Sequence, residues 1–214
     1  MRTFIAVEIS KAIRAEIQAI RERLKKIQAN VKWVEQDNTH LTIKFIGDVG
    51  PDQVPAICSA IEKAAGAARQ FDIEIRGVGT FSRRRPSVLW VGVEDPSEEL
   101  ARLHVELENA LHKLGIEKEN RKFSPHITMG RVRGGKNIRE LLEGLDAQRT
   151  AHLGTSRVES LILFESKLTP QGPIYSRLAE VLLRGTHNAE HAEYQERSVD
   201  QNERGDRDGQ ENSR

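Results

Sequence analysis

The sequence writes one short strand twice. "THLTIKFIG" from Thr39 and "PHITMGR" from Pro125 each set a histidine and a threonine two residues apart, with apolar residues between and after them. Side chains two apart in a strand share a face. His40, Thr42 and Lys44 are therefore expected on one side, with Leu41, Ile43 and Phe45 on the other, and His126 and Thr128 repeat the arrangement against Ile127 and Met129. Such a strand buries one face and offers an imidazole and a hydroxyl on the other. That demand points to sheets with a single covered face.

The rest of the chain supplies the cover. After the β-rich "TFIAVEI", Ser10 reads as an N-cap, and Ile13, Ile17, Ile20, Leu24 and Ile27 recur at helical spacing. "VKWV" and "HLTIKFIG" follow as strands, Gly50 and Pro51 break the chain, and Val54, Ile57, Ile61, Ala64 and Ala68 mark a second helix. "FDIEI" and "SVLWVGVE" are further strands. Asp95, Pro96 and Glu98 are expected as N-cap, N1 and N3 of a third helix, with Leu100, Leu103, Leu107, Leu111 and Leu114 in one stripe ending at Gly115. "HITMGRV" is a strand, "NIRELLEGL" a short helix, and "RVESLILFESK" and "IYSRLAEVLL" are two closing strands. This order predicts an α+β fold of antiparallel sheets with helices on their outer faces. From residue 185 to 214 the text has almost no large aliphatic residue and is expected to be a disordered polar tail behind a folded body of residues 1–184.

Composition narrows the function. With 37% hydrophobic and 30% charged residues in 214, the chain reads as a soluble globular protein. Its formal charge of +1 announces no polyanion partner, so any nucleic-acid contact must come from a local patch. Cys58 is the only cysteine, which excludes an intrachain disulfide and a cysteine-based zinc site within one chain. No apolar run approaches the length of a membrane helix, about 18 residues or more, and the opening run is too short for a signal peptide. We expect a cytoplasmic monomer with no membrane contact.

Two imidazoles and two hydroxyls converging on one cleft would suit a phosphodiester. Cleavage needs a base for the attacking oxygen, an acid for the leaving oxygen and donors for the non-bridging oxygens. Histidine serves in either protonation state near neutrality. An H-x-T triplet alone arises by chance in roughly a few tenths of chains of this length. The pair carries more, because both copies lie in strand-like text. Two unrelated, hydrogen-bonded histidines are the competing interpretation.

Both H-x-T strands, with "MRTFIAVEI", "VKWV", "RRPSVLWVGVE", "FSPHITMGRV" and "ESLILFESKLTPQGPIY", resemble in order the RNA 2′,3′-cyclic phosphodiesterase branch of the two-histidine phosphoesterase superfamily, formerly called 2′-5′ RNA ligases. The resemblance covers nearly all of residues 1–183. It implies a bilobal fold in which two antiparallel sheets flank a central cleft on a pseudo-two-fold axis. It also implies His40 as proton donor to the leaving 3′-oxygen, His126 as the acceptor that activates water, and Thr42 and Thr128 as phosphate ligands. The implied substrate is RNA with a 2′,3′-cyclic phosphate end, tRNA fragments included, and no cofactor is called for.

Other candidates stand beside these. The family often has a basic residue after its second motif; strict alternation points Arg131 away from His126, unless Gly130 supplies a bulge that re-aims it onto phosphate. Lys44 shares the predicted face of His40. "SRRRP" is the one concentrated basic cluster of the body, and Arg83, Arg84 and Arg85 are candidates for the RNA backbone with Phe81 to stack on a base, against a plainly solvated loop. His104 and His112 lie off the leucine stripe and are expected exposed, His152 in a loop, and His187 and His191 in the tail. Trp33 and Trp90 read as sheet residues. A metal hydrolase is disfavoured because threonines accompany the histidines and no nearby carboxylate completes a ligand set. Reverse joining of RNA ends and a non-catalytic RNA-end-binding module remain as alternatives.

Overall fold

The structure is a computed structural model that describes residues 1–170 and 172–185. The expected tail lies outside the described residues from position 186 on. In chain order the elements are β1 (Arg2–Val7), α1 (Lys11–Lys25), β2 (Val31–Trp33), β3 (Leu41–Asp48), α2 (Val54–Ala67), β4 (Phe71–Thr80) and β5 (Val88–Glu94). They continue with α3 (Glu99–His112), β6 (His126–Val132), α4 (Ile138–Asp146), β7 (His152–Val158), β8 (Ser160–Leu168) and β9 (Pro173–Leu182).

Every strand pairing is antiparallel, in the order β7-β4-β5-β6-β3-β1-β8-β9, with β2 added along the end of β6. Two separate sheets are expected from the sequence; the strands instead form one sheet of nine. The two runs β7-β4-β5-β6 and β3-β1-β8-β9 meet through a single residue pair, Leu41 with Ile127. Beyond that pair β3 and β6 part, and β2 takes the place of β3 along β6, pairing Val31, Lys32 and Trp33 with Val132, Arg131 and Gly130.

The helices cover one face. On α1, Ser10 accepts a hydrogen bond from the Ile13 N–H at 3.3 Å, and Ile13, Ile17, Ile20 and Leu24 are buried as the spacing predicts. Each such side chain contributes about 1.5–3 kcal/mol by leaving water. α1 packs on β7, α2 on β8 and β9, α3 on β3, and α4 on β4. Beneath them lie Ile5, Val7, Leu41, Ile43, Leu89, Val91, Ile127 and Met129 from the sheet's inner face.

Four expectations are corrected. The third helix begins at Glu99, because Glu98 adopts a left-handed conformation with φ 59°. Asp95 bridges the turn, its carboxylate accepting from Ser97 Oγ at 3.2 Å and Ala101 N–H at 3.1 Å. Four leucines of the stripe are buried, while Leu114 lies beyond the helix end and is exposed. "HLGTSRV" forms its own strand, β7, paired along β4, so Arg157 and Val158 do not open the next strand and His152 begins a strand rather than sitting in a loop.

Candidate active site

The Leu41–Ile127 pair fixes what lies around it. Both residues are fully buried on the helix-covered side. The antiparallel direction then places His40 on the Thr128 side of that pair and Thr42 on the His126 side. The other neighbour of β6 agrees, because Trp90 pairs with Thr128 and Gly92 with His126. The two H-x-T motifs thus flank one junction on the face away from the helices.

The two rings are held alike. His40 Nδ1 lies 2.8 Å from the Asn38 carbonyl and His126 Nδ1 lies 2.8 Å from the Ser124 carbonyl. A carbonyl only accepts, so Nδ1 carries the proton in each ring and the lone pair of the neutral imidazole sits on Nε2. In His40 that nitrogen lies 3.1 Å from Thr42 Oγ1 and accepts the hydroxyl proton.

Their surroundings differ. His40 is stacked on Phe4 with ring centroids 4.9 Å apart, meets the edge of Tyr175 at 5.3 Å, and lies over the small cluster of Phe4, Ala6, Ile162 and Phe164. Burial there pushes its pKa down to about 4, against a smaller upward pull from its bond to the Asn38 carbonyl, while Arg14 adds to the lowering. His126 meets one ring, the edge of Phe81 at 4.8 Å. Burial also raises the Tyr175 hydroxyl's pKa, opposed by the positive charges of Arg131 and Arg2, so the phenol is a neutral donor at pH 7.

A cavity of about 830 Å³ opens at the junction, lined by His40, Thr42, Thr128, Arg131 and Tyr175 among others. Arg2, Lys32 and Arg133 also line it. His126 lines a second cavity of about 510 Å³ together with Phe81 and Trp90. Two bulges decide which cations reach the larger cavity. Ala6 pairs with Thr42 but Ile5 with Lys44, so β3 carries an extra residue between them. Lys44 is thereby turned into the core, where it is 5% exposed, lies 2.8 Å from the Glu108 carboxylate and donates to the Glu117 carbonyl at 2.7 Å. The expectation that Lys44 shares the cleft face with His40 is therefore corrected. The same shift pairs Phe45 with Phe4 and brings Phe45 onto the cleft side, where 64% of it is exposed. On β6, Thr128 pairs with Trp90 and Gly130 with Leu89, so Met129 is the extra residue and Arg131 lines the same cavity as Thr128. Gly130 is needed for a different reason: a Cβ there would lie 2.8 Å from Val31 Cγ1.

The arginine cluster is set elsewhere. Arg83, Arg84 and Arg85 are exposed and line neither cavity, and Arg83 makes a bidentate pair with Asp146 at 2.6 and 2.7 Å. Phe81 of the same stretch does reach His126. His112 is exposed as expected, but His104 is not: its ring stacks on Phe123 at 4.1 Å and contacts the Ile43 carbonyl at 3.2 Å. His187 and His191 lie outside the described residues. Arg2, Lys32, Arg133 and Tyr175 were not singled out from the sequence; they come together through the β1–β3, β2–β6 and β8–β9 pairings, which no local pattern announces.

The chain matches the 2′-5′ RNA ligase superfamily over residues 9–168, and it belongs to that superfamily. A relative from Methanothermobacter thermautotrophicus, called an RNA 2′,3′-cyclic phosphodiesterase, is 37% identical over 82% of this chain and 95% of its own length. Among solved structures, the Thermus thermophilus protein TT0787 superposes with a TM-score of 0.71 at 28% identity, covering 87% of this chain and all of that one. Escherichia coli LigT complexed with 3′-AMP gives a TM-score of 0.66 at 25% identity, covering 85% and 97%.

Proposed function

We propose that this protein hydrolyses RNA 2′,3′-cyclic phosphate ends to 2′-phosphomonoesters, using His40 and His126 as an acid–base pair and no metal. The observation that carries the reading is the Leu41–Ile127 register, which sets both H-x-T motifs around one junction with each ring anchored through Nδ1. The relatives' shared name and the neighbour bound to 3′-AMP support the substrate class. We further read the two strand runs as lobes related by an approximate two-fold axis through that pair.

The acid and base roles are those that the family resemblance implies. A water oxygen attacks phosphorus while the neutral Nε2 of His126 takes its proton. The bond from phosphorus to the 3′-oxygen breaks, and Nε2–H of His40 protonates that oxygen. Thr42, Thr128 and Arg131 hold the non-bridging oxygens. His40 is neutral in the empty site at pH 7, since its pKa is about 4. A phosphate anion about 4 Å away is worth about 4 kcal/mol to the imidazolium at an effective dielectric constant of 20, so the substrate itself loads the acid. As Nε2 gains its proton, the Thr42 hydroxyl ceases to donate to it and is free to donate to phosphate. With a 5′-hydroxyl in place of water, the same forward steps join RNA ends through a 2′-5′ linkage. RNA fragments with cyclic ends, those of tRNA included, are the substrates we propose, and the single cysteine supports a cytoplasmic setting.

The test uses a defined oligonucleotide ending in a 2′,3′-cyclic phosphate, with excess chelator. Wild type should leave the phosphate on the 2′-oxygen. His40→Ala and His126→Ala should each lose about 10²–10⁴ in rate. A 3′-phosphate product, or loss of activity in chelator, would contradict the reading.

A further inference from the structure

The second cavity is larger than a water nucleophile needs. Its volume of about 510 Å³ falls in the range of ligand sites, roughly 300–1,000 Å³. It lies beside His126, whereas His40 lines the larger cavity. Its floor is built around Trp90, which the pairing with Thr128 sets on the cleft face of the sheet. Two glycines make room for the indole and its neighbours. A Cβ on Gly79 would lie 2.7 Å from the ring, and one on Gly92 would lie 2.6 Å from the Arg76 carbonyl and 3.5 Å from the ring. Phe81 stands over the floor, 5.8 Å from the indole and 4.8 Å from the His126 ring, with 54% of its surface exposed. Arg149 lines the cavity, and Arg76 and Glu94 there answer each other at 3.4 Å.

The chemistry of the junction says what such a cavity faces. A 2′,3′-cyclic phosphate has one ribose, attached through both ester oxygens. With His40 beside the leaving 3′-oxygen, that ribose occupies the larger cavity, and the attacking oxygen arrives on the His126 side. We infer that the second cavity is an acceptor-nucleoside subsite: it seats an RNA end bearing a free 5′-hydroxyl, its base against Trp90 and Phe81. This inference rests on the reading under Proposed function. Stacking on an aromatic platform is sequence-tolerant because every base has a π-face. In the forward direction the 5′-oxygen bonds to phosphorus, its proton passes to His126, the phosphorus–3′-oxygen bond breaks, and that oxygen takes the proton of His40. The product is a 2′-5′ phosphodiester, with atoms and charge conserved and no co-reactant required. In the reverse direction the 3′-hydroxyl attacks, and the subsite releases the 5′-hydroxyl nucleoside.

The reverse direction gives the cleaner assay. Cleavage of adenylyl-(2′→5′)-adenosine, which fills both cavities, is compared with hydrolysis of adenosine 2′,3′-cyclic phosphate, which fills only the larger one. Trp90→Ala and Phe81→Ala should each lower the ratio of the two kcat/KM values by about 5- to 150-fold, the range found for losing one base–aromatic stack, mainly through KM for the dinucleotide. Trp90→Tyr, which keeps a flat ring, should restore most of the ratio. Should Trp90→Ala fail to fold, Phe81→Ala alone decides, since its ring is exposed. An unchanged ratio in the folded variants overturns the subsite, as does wild type that opens the cyclic nucleotide but leaves the dinucleotide intact. Wild type inert towards both substrates removes the hydrolase reading, and the subsite falls with it.

Discussion

The strands β3 and β6 carry the same motif and the same kind of irregularity, with opposite results. On β3 the extra residue after Thr42 turns Lys44 away from the cleft and into an ion pair with Glu108. On β6 the extra residue after Thr128 turns Arg131 towards the cleft. One bulge removes a cation from the site and the other delivers one. The surroundings diverge as well: His40 is walled by Phe4, Phe164 and Tyr175, while among the described residues' rings His126 meets Phe81. A repeated motif fixes where two rings start on the backbone. Partner strands and neighbouring rings decide their charge and company.

The largest effect expected from this contrast is on stability. Lys44→Met leaves the Glu108 carboxylate buried beside apolar groups, and breaking a buried pair in this way costs about 3–5 kcal/mol. Denaturant unfolding should show that loss for Lys44→Met and much less for Arg131→Met; equal losses would undo the distinction between the two bulges. Next comes proton affinity. The pH profile of kcat/KM, which reports the free enzyme, should show a break near the His40 value of about 4. In kcat the same break should lie at higher pH, because the bound anion favours the imidazolium. Breaks at one common pH in both profiles would mean that substrate does not load His40. Arg131→Ala should then raise KM about tenfold, the loss of one charge-assisted hydrogen bond of about 1.5 kcal/mol. Smallest are Arg84→Ala and Arg85→Ala, which should leave kcat/KM for a cyclic mononucleotide within about twofold, as surface changes away from a site generally do. A tenfold fall there would bring the arginine loop back to the substrate.

Much of this was legible in advance because it is periodic. The α1 and α3 stripes, the Ser10 cap and the two H-x-T strands are each written within a dozen residues, and burial follows them. Bulges are different, since an extra residue is defined only against the strand beside it. Alternation therefore put Lys44 and Phe45 on the wrong faces, and for Arg131 it suggested a bulge at Gly130 where the shift falls on Met129. β7 escaped because "HLGTSRV" has a glycine at φ +118° and few aliphatic residues, so only pairing with β4 makes it a strand. Asp95 has the chemistry of an N-cap and does accept from the first-turn Ala101 N–H, but from before a turn that delays the helix start to Glu99. Arg2, Lys32 and Tyr175 reach the cleft by long-range pairing, which local text does not encode.

The central claim, that His40 and His126 serve one phosphorus atom in a single step, is tested most directly by a double-mutant comparison. Single-turnover opening of a cyclic-phosphate oligonucleotide is measured for wild type, His40→Ala, His126→Ala and the double variant. Groups acting as a unit are strongly non-additive, so the double variant should be scarcely slower than the slower single one. Single losses that multiply would show two imidazoles working independently and would contradict the account.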